Sequence, residues 1–300
     1  MNWLNIMKDK IPLSEIMTKK DDLVTMRIPG NRDLLIEAIR KTGLSVYPVL
    51  RKESDELVGI VSRSDLFRNP DETQLSLLMK RDVITLKSSN YVIDAARIYE
   101  ENVFQRIPIV DDNDDKILIG LIARNDIIKK VVLKAKIQLD VKNYFNPNVT
   151  TIWEQTPVNI AAMILRVSHQ KGLPVLNESG MTGIISQNDF LKVAEILDSQ
   201  STSRTGHGAE NDASSWDSES ILIIGSKTLT LPRNMKVCDI MERNVEVCYT
   251  GTTIHEVTKK MVQKNLDQMP VVNVSGEILG IINTRDIIRA YVHGYDKIKS

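Results

Sequence analysis

One seven-residue pattern occurs four times in this 300-residue chain, and nothing else in it narrows the fold so far. It reads GIVSRSD at 59–65, GLIARND at 120–126, GIISQND at 183–189 and GIINTRD at 280–286. Each copy is a glycine, two aliphatics, three mostly polar residues and an aspartate, followed by two apolar residues. Upstream of each lies an apolar-Pro-apolar-apolar run, YPVL, IPIV, LPVL or MPVV, centred on Pro48, Pro108, Pro174 and Pro270. Further upstream is an apolar pair: Ile16–Met17, Leu78–Met79, Tyr144–Phe145 or Ile240–Met241. Its second member precedes the proline by 31, 29, 29 and 29 residues, and the motif aspartates are 61, 63 and 97 apart. Three landmarks holding register four times identify an internal repeat. A unit of roughly 60 residues buries too little of its surface to be comfortable alone, so the units must pair.

Periodicity gives the order of elements in one unit. Short apolar runs (Val83–Leu86, Val149–Ile152, Val245–Cys248) read as a first strand. An amphipathic helix follows. In TPVNIAAMILRVSHQKG, Thr156 suits the N-cap, Pro157 the first helical position and Gly172 the stop; Thr253 and Glu256 have capping-box spacing. Two β-rich runs split by polar residues then read as a hairpin, and a second helix opens at the motif aspartate. The fold class is therefore mixed α/β: four β-α-β-β-α units, paired into two modules. The expected boundaries are 10–72, 73–135 and 136–198 for the first three units, a flexible insertion at 199–220, and 221–298 for a short hairpin plus the fourth unit. The insertion, rich in Ser, Thr, Gly, Asp and Asn, accounts for the wider third spacing, and the hairpin is expected to turn at Gly225–Ser226.

Composition excludes several classes. Lys+Arg and Asp+Glu are both 39, so the basic excess typical of non-specific nucleic-acid binding is absent and no nucleic acid is expected. No apolar run reaches the roughly 18–20 residues of a membrane span, and no secretory signal opens the chain, so a cytoplasmic location is expected. Cys238 and Cys248 make neither a disulfide framework nor a zinc site. The histidines 169, 207, 255 and 293 lack metal-ligand spacing, and no nucleophile elbow, phosphate loop or paired acids stand out. No catalytic or metal residues are assigned, and the chain reads as a non-enzyme.

The motif itself carries the remaining chemistry. Ser62 or Ser186 stands where a helix N-cap belongs, with Asp65 or Asp189 at the third helical position. The plain reading is structural: a cap and an acidic residue in the positive first turn. The functional reading uses the same geometry, since a helix start holds anions and a carboxylate there accepts both hydroxyls of a ribose. Ala123 cannot cap through its side chain, yet Asp126 remains. That combination favours the functional reading, because half of a capping box has lost its partner.

These residues resemble the cystathionine-β-synthase (CBS) domain: an Ile-Met-like pair, an apolar-Pro-aliphatic run, then Gly-h-h-Ser/Thr-x-x-Asp. The resemblance covers residues 12 to about 293. Pairs of such domains form Bateman modules with two clefts. The resemblance implies binding of AMP, ADP, ATP, S-adenosylmethionine or methylthioadenosine as ligands rather than catalytic cofactors. The arrangement is also similar to that of the regulatory gamma subunits of AMP-activated protein kinase.

Carried over residue by residue, the resemblance implies one cleft with Ser62 and Asp65 working with Lys80, Ile84 and the phosphate-facing Arg106. A reciprocal cleft pairs Asp126 with Thr18 and Val24. In the second module Asp286, with Thr284 near and Asn283 at the hydroxyl position, is matched with Thr150 and Lys171. Asp189 and Ser186 face Glu242, Glu246 and Asp267, which disfavour polyphosphate. The expected partners are a small adenosyl ligand, a second copy through the disc packing common in the family, and a regulated protein. The competing readings are a scaffold with vacant clefts and, least supported, an enzyme using the insertion as a lid.

Overall fold

The computed structural model describes residues 10–69, 72–102, 106–168, 170–193, 195–203, 222–232 and 234–299. Each repeat forms the same small sheet. A short strand (Met26–Ile28, Leu86–Lys87, Ile152–Trp153 or Cys248–Tyr249) lies beside a central proline-containing strand, and the motif strand completes the hairpin on its other side. The central strands are Val46–Arg51, Arg106–Val110, Gly172–Asn177 and Gln268–Val272. Leu86, Ile152 and Cys248, the last residues of the three runs expected as strands, open the observed ones; the residues before them lie on a linker that crosses onto the paired unit upstream, at Lys80, Asn146 and Glu242.

That crossing explains all three sequence landmarks together. Lys80 exchanges both backbone hydrogen bonds with Ile60, at 2.8 and 3.0 Å, and Glu242 does the same with Ile184, at 2.9 and 2.9 Å. Asn146 does so with Ile281, at 2.8 and 2.9 Å, while Thr18 lies in register with Leu121. Each crossing residue is the one after the apolar pair, and it docks on the motif strand of the other unit in its pair. The exchange reaches past the motif glycine. A Cβ built on Gly59 would sit 2.5 Å from the Lys80 carbonyl oxygen, and one on Gly183 2.8 Å from both the Glu242 oxygen and Met241 Sδ. Glycine is required there for close approach, not for an unusual φ.

The proline follows from the same hydrogen bonds. Pro48 is in register with Ile60 and Pro174 with Ile184. The backbone groups of Ile60 and Ile184 point away, to the crossing linker, so neither proline faces a neighbour that needs its missing N–H. On the other side the parallel partner starts one residue later, with Met26↔Val49, Leu86↔Ile109, Ile152↔Val175 and Cys248↔Val271. A proline is thereby tolerated in a central strand, where it would normally break a ladder.

The described chain divides into two compact units. One holds motifs 1 and 2 together with most of motif 4; the other comprises Asn148–Glu246 and Val274–Ile278. In the first unit motif 1 has its own core, with Tyr47, Val49 and Val61 against Leu35, Leu75 and Met79. Motifs 2 and 4 share one larger core, in which Tyr99, Ile107, Ile122 and Val131 meet Val257, Met261, Ile282 and Tyr291. Their helices Val92–Glu101 and Thr284–Lys299 are tied by Arg97 and Asp296 at 2.5 Å. In the second unit Ile152, Val175 and Ile185 pack on Val158, Leu165, Val237 and Met241.

Within the shared core, the Tyr99 hydroxyl donates to the Ile122 carbonyl at 2.7 Å, fully buried. Tyr99→Phe should cost about 1–2 kcal/mol in urea unfolding, because a buried hydrogen bond to the Ile122 carbonyl is lost. An unchanged midpoint would show that hydrogen bond to be dispensable.

Two expectations need correction. Residues 222–230 do not turn at Gly225–Ser226. They form one strand, Leu222–Thr230, antiparallel to Glu195–Ser203, with Gly225 opposite Gln200 and Ser226 opposite Ser199. A nine-residue β-rich run gains a longer ladder from the upstream partner than from folding on itself. Of the insertion expected at 199–220, residues 199–203 thus end a strand; residues 204–220, His207 included, lie outside the described residues. The motif-3 helix Val158–Ser168 ends at Ser168, and Gly172 opens the next strand instead of capping it. The Thr253–Glu256 capping box is present, with Thr253 N–H to Glu256 Oε2 at 2.9 Å and Glu256 N–H to Thr253 Oγ1 at 3.2 Å.

Candidate ligand clefts

Every motif ends its strand and starts its helix in the same way. The aspartate carboxylate turns back and accepts the backbone N–H three residues earlier, from Ser62, Ala123, Ser186 and Asn283, at 2.9 Å in each case. The Ser62 and Ser186 hydroxyls add 2.5 and 2.8 Å contacts to the same oxygen of their aspartates. In the fourth copy the Asn283 side chain caps instead, accepting from Arg285 N–H at 2.8 Å. The second copy changes the argument made from Ala123. Asp126 keeps a capping partner in the Ala123 N–H, so its retention has a structural explanation as well.

The strand exchange decides which residue of the paired unit lies beside each motif strand. Two residues before the cap position, the motif strand carries the crossing residue of the paired unit, which is Lys80 for Asp65, Thr18 for Asp126, Glu242 for Asp189 and Asn146 for Asp286. The first three are residues the sequence associated with those aspartates. Asn146 was missed, and the constant position after the apolar pair was the signal for it. Val24 and Ile84, on the linkers beyond Thr18 and Lys80, are 37% and 44% exposed. Arg106 opens its strand half-buried, in register with Ala123 of its own motif. Thr284 is buried, its hydroxyl 3.5 Å from Arg124 Nη1 in the seam between motifs 2 and 4. Thr150, half-buried, and Lys171, exposed, belong to the second unit, whereas Asp286 and Asp267 belong to the first.

A second missed signal is a basic residue three positions after every motif aspartate: Arg68, Lys129, Lys192 and Arg289. Lys192 Nζ lies 2.9 Å from Asp189 Oδ1, and an Arg289 nitrogen 3.2 Å from Asp286 Oδ1. In the second copy the next residue acts instead. Lys130 sits 3.9 Å from Asp126 and donates to the Ile16 carbonyl at 2.7 Å. Arg289 makes the equivalent bond to the Tyr144 carbonyl, and its guanidinium lies 5.9 Å from the Tyr144 ring centre. Ile16 and Tyr144 occupy the same repeat position, so one cation in each even-numbered motif clasps the linker that crosses onto it.

A cavity of about 380 Å³ opens at Asp286. Asn283, Arg285 and Arg289 line it from motif 4, Phe145, Asn146 and Pro147 from the crossing linker, and Glu100 from the motif-2 helix. Burial pushes the Asp286 carboxyl up to about 6, only partly opposed by the Asn283 N–H and by Arg289, Arg285 and Arg124. Asp189 differs. Burial raises it, but hydrogen bonds from Lys192 and Ser186 outweigh that and hold it below the usual carboxylate range. Among the described residues no cluster of His, Cys, Asp or Glu suits a metal, and no helix is long and apolar enough to cross a membrane.

The family model for the CBS domain matches residues 13–72, 75–133, 141–195 and 237–293. The uncharacterized protein MJ1225 of Methanocaldococcus jannaschii is 23% identical over 264 residues, spanning 81% of this chain and 86% of that protein. The crystal structure of MJ1225, which was proposed as an archaeal homolog of g-AMPK, superposes with a TM-score of 0.68 at 18% identity, over 93% of this chain and 99% of that one. An uncharacterized conserved protein from Pyrococcus horikoshii gives 0.66 at 25% identity, over 94% and 100%. The chain therefore belongs to the CBS domain family, its four CBS domains paired as two Bateman modules.

Proposed function

We propose that this chain is a non-catalytic sensor that binds adenosyl ligands in its clefts and passes their presence to a partner protein or to its own assembly. The observation that most supports this is the cavity at Asp286. A buried carboxylate stands at a helix start, an asparagine arrives from the paired unit, and two arginines lie within the same wall. A carboxylate so placed accepts two ribose hydroxyls, and the arginines suit a phosphate. A ligand that touches both a motif strand and the linker docked on it favours one arrangement of the pair over another, which is how occupancy is transmitted.

The four clefts are not equivalent in this reading. Lys80 faces Asp65, with Arg106 assigned to ligand phosphate, so that cleft prefers nucleotides. Glu242 faces Asp189, whose oxygens already accept from Ser186 and Lys192, and that cleft takes a neutral or sulfonium adenosyl ligand or none. Calorimetric titration of Arg106→Ala with AMP and ATP checks the phosphate assignment. A loss of tenfold or more is expected for one nucleotide site, and unchanged affinity for both would sink it.

Ribose acceptance needs the ionised carboxylate, which gives a pH signature. With its carboxyl titrating at about 6, Asp286 should bind with constant affinity above pH 7. Below 6 its affinity should fall by about tenfold per unit. Calorimetry across pH 5 to 8 reads this directly, and a flat profile at this site would contradict a ribose role for Asp286. A scaffold with vacant clefts would show no ligand-dependent rise in melting temperature with any adenosyl compound.

A further inference from the structure

The Asp286 cavity belongs to motif 4, yet one of its charged walls comes from motif 2. We infer that Glu100, on the helix Val92–Glu101, sets the charge limit of this cavity, admitting adenosyl ligands with at most one phosphate and rejecting polyphosphates. The inference rests on the adenosyl reading of the Asp286 cleft and adds to it a residue that selects between ligands.

The lining charges balance. By residue, the lining sets acidic Asp286 and Glu100 against basic Arg285 and Arg289. Both guanidiniums are already engaged. Arg285 donates to the carbonyls of Glu100 at 2.8 Å and Glu101 at 3.3 Å, capping the C-terminus of the motif-2 helix. Arg289 is shared between the Asp286 carboxylate and the Tyr144 carbonyl. A first phosphate can lean on these two cations. Each further phosphate adds negative charge with no further cation among the described lining residues, and Glu100 adds a second negative charge beside Asp286. Glu100 is three-quarters buried, on a helix packed against the motif-4 helix, with Oε1 3.5 Å from His293 Nε2. A partly buried carboxylate repels a nearby anion more strongly than one free in solvent. The contact that holds Arg285 uses the backbone carbonyl of Glu100, so the side chain can be changed without releasing that cap.

The test is calorimetric titration of AMP and ATP into the full chain and into its Glu100→Gln, Glu100→Asp and Asp286→Asn variants. Glu100→Gln should tighten ATP at this site by tenfold or more while AMP changes by less than threefold. Glu100→Asp, which keeps the charge, should keep the selectivity. Loss of AMP binding at one site in Asp286→Asn, with the ATP-to-AMP ratio unmoved by Glu100→Gln, would overturn the role of Glu100 and leave the cleft assignment standing. No change in either nucleotide on Asp286→Asn would overturn both. A merely structural Glu100 would shift AMP and ATP together, and that result too rejects the inference.

Discussion

Asp286→Asn is expected to abolish ligand uptake at its cleft while making the chain more stable at pH 7. An amide cannot provide the charged acceptor a ribose diol needs, but it still accepts the Asn283 N–H that caps the helix. The stability sign follows from the carboxyl's shift, from 3.8 to about 6, caused by burial. Between those values the folded state holds a proton that the unfolded state has lost, so the contribution of Asp286 is most favourable below 3.8 and disappears as pH rises through 6. At pH 7 the charged group therefore weakens folding by an amount on the order of 3 kcal/mol. The amide removes that burden but gives up the ion pair to Arg289, so a net gain of about 1–2 kcal/mol is expected. Urea unfolding at pH 7 and pH 4.5 checks it, since the gain should shrink at the lower pH as the native carboxyl is protonated. A variant that is less stable at pH 7 and still binds would contradict the assignment. Asp189→Asn should behave oppositely and destabilise, because that carboxyl is held below its ordinary range by Lys192 and Ser186.

Gly59→Ala should be among the most damaging single substitutions in motif 1. The added methyl would lie 2.5 Å from the Lys80 carbonyl oxygen and 3.1 Å from Met79 Sδ. The oxygen accepts from Ile60 N–H and so cannot retreat without breaking the exchange. Overpacking of this kind costs about 3 kcal/mol, and here it also parts the linker from the strand that leads to Asp65. Gly251→Ala is the control: nothing lies within 4 Å of its added carbon, and a change within about 0.5 kcal/mol is expected. Denaturant unfolding of both variants, with adenosyl binding measured alongside, separates the two cases. Equal effects would show that close approach is not what the motif glycine serves.

Much of the fold was legible because the repeat states it four times over. Period-two runs, cap residues and the Pro and Gly positions are local signals, and the Thr253–Glu256 box formed as its spacing implied. What the sequence concealed was the exchange. Val83 and Ile84 read as the start of a strand because they are apolar, but they lie on a linker whose preceding residue, Lys80, hydrogen-bonds in the paired unit. Alternation along one segment does not say which other segment crosses it. The family resemblance ties Thr18, Lys80 and Thr150 to their aspartates, whereas Asn146, at the repeat position of Lys80, emerges only from the exchange. Glu100 and Arg285 were hidden more deeply, because their meeting depends on motif 2 packing against motif 4 across nearly 200 residues of chain, and no local pattern encodes that. The basic residue three positions after each aspartate was in plain sight, but its alignment on one helix face became meaningful only once Lys192 and Arg289 were seen on their carboxylates.

The central claim is that a motif carboxylate grips the two hydroxyls of an adenosyl ribose. It is tested most directly by calorimetric titration of the intact chain with AMP and, separately, with 2′-deoxy-AMP, which differs only in lacking one of those hydroxyls. Saturable AMP binding that weakens tenfold or more with the deoxy ligand is the expected result, since the carboxylate then loses a charge-assisted hydrogen bond worth about 1.5–3 kcal/mol. Equal affinity for the two, or no binding of either, would contradict the account.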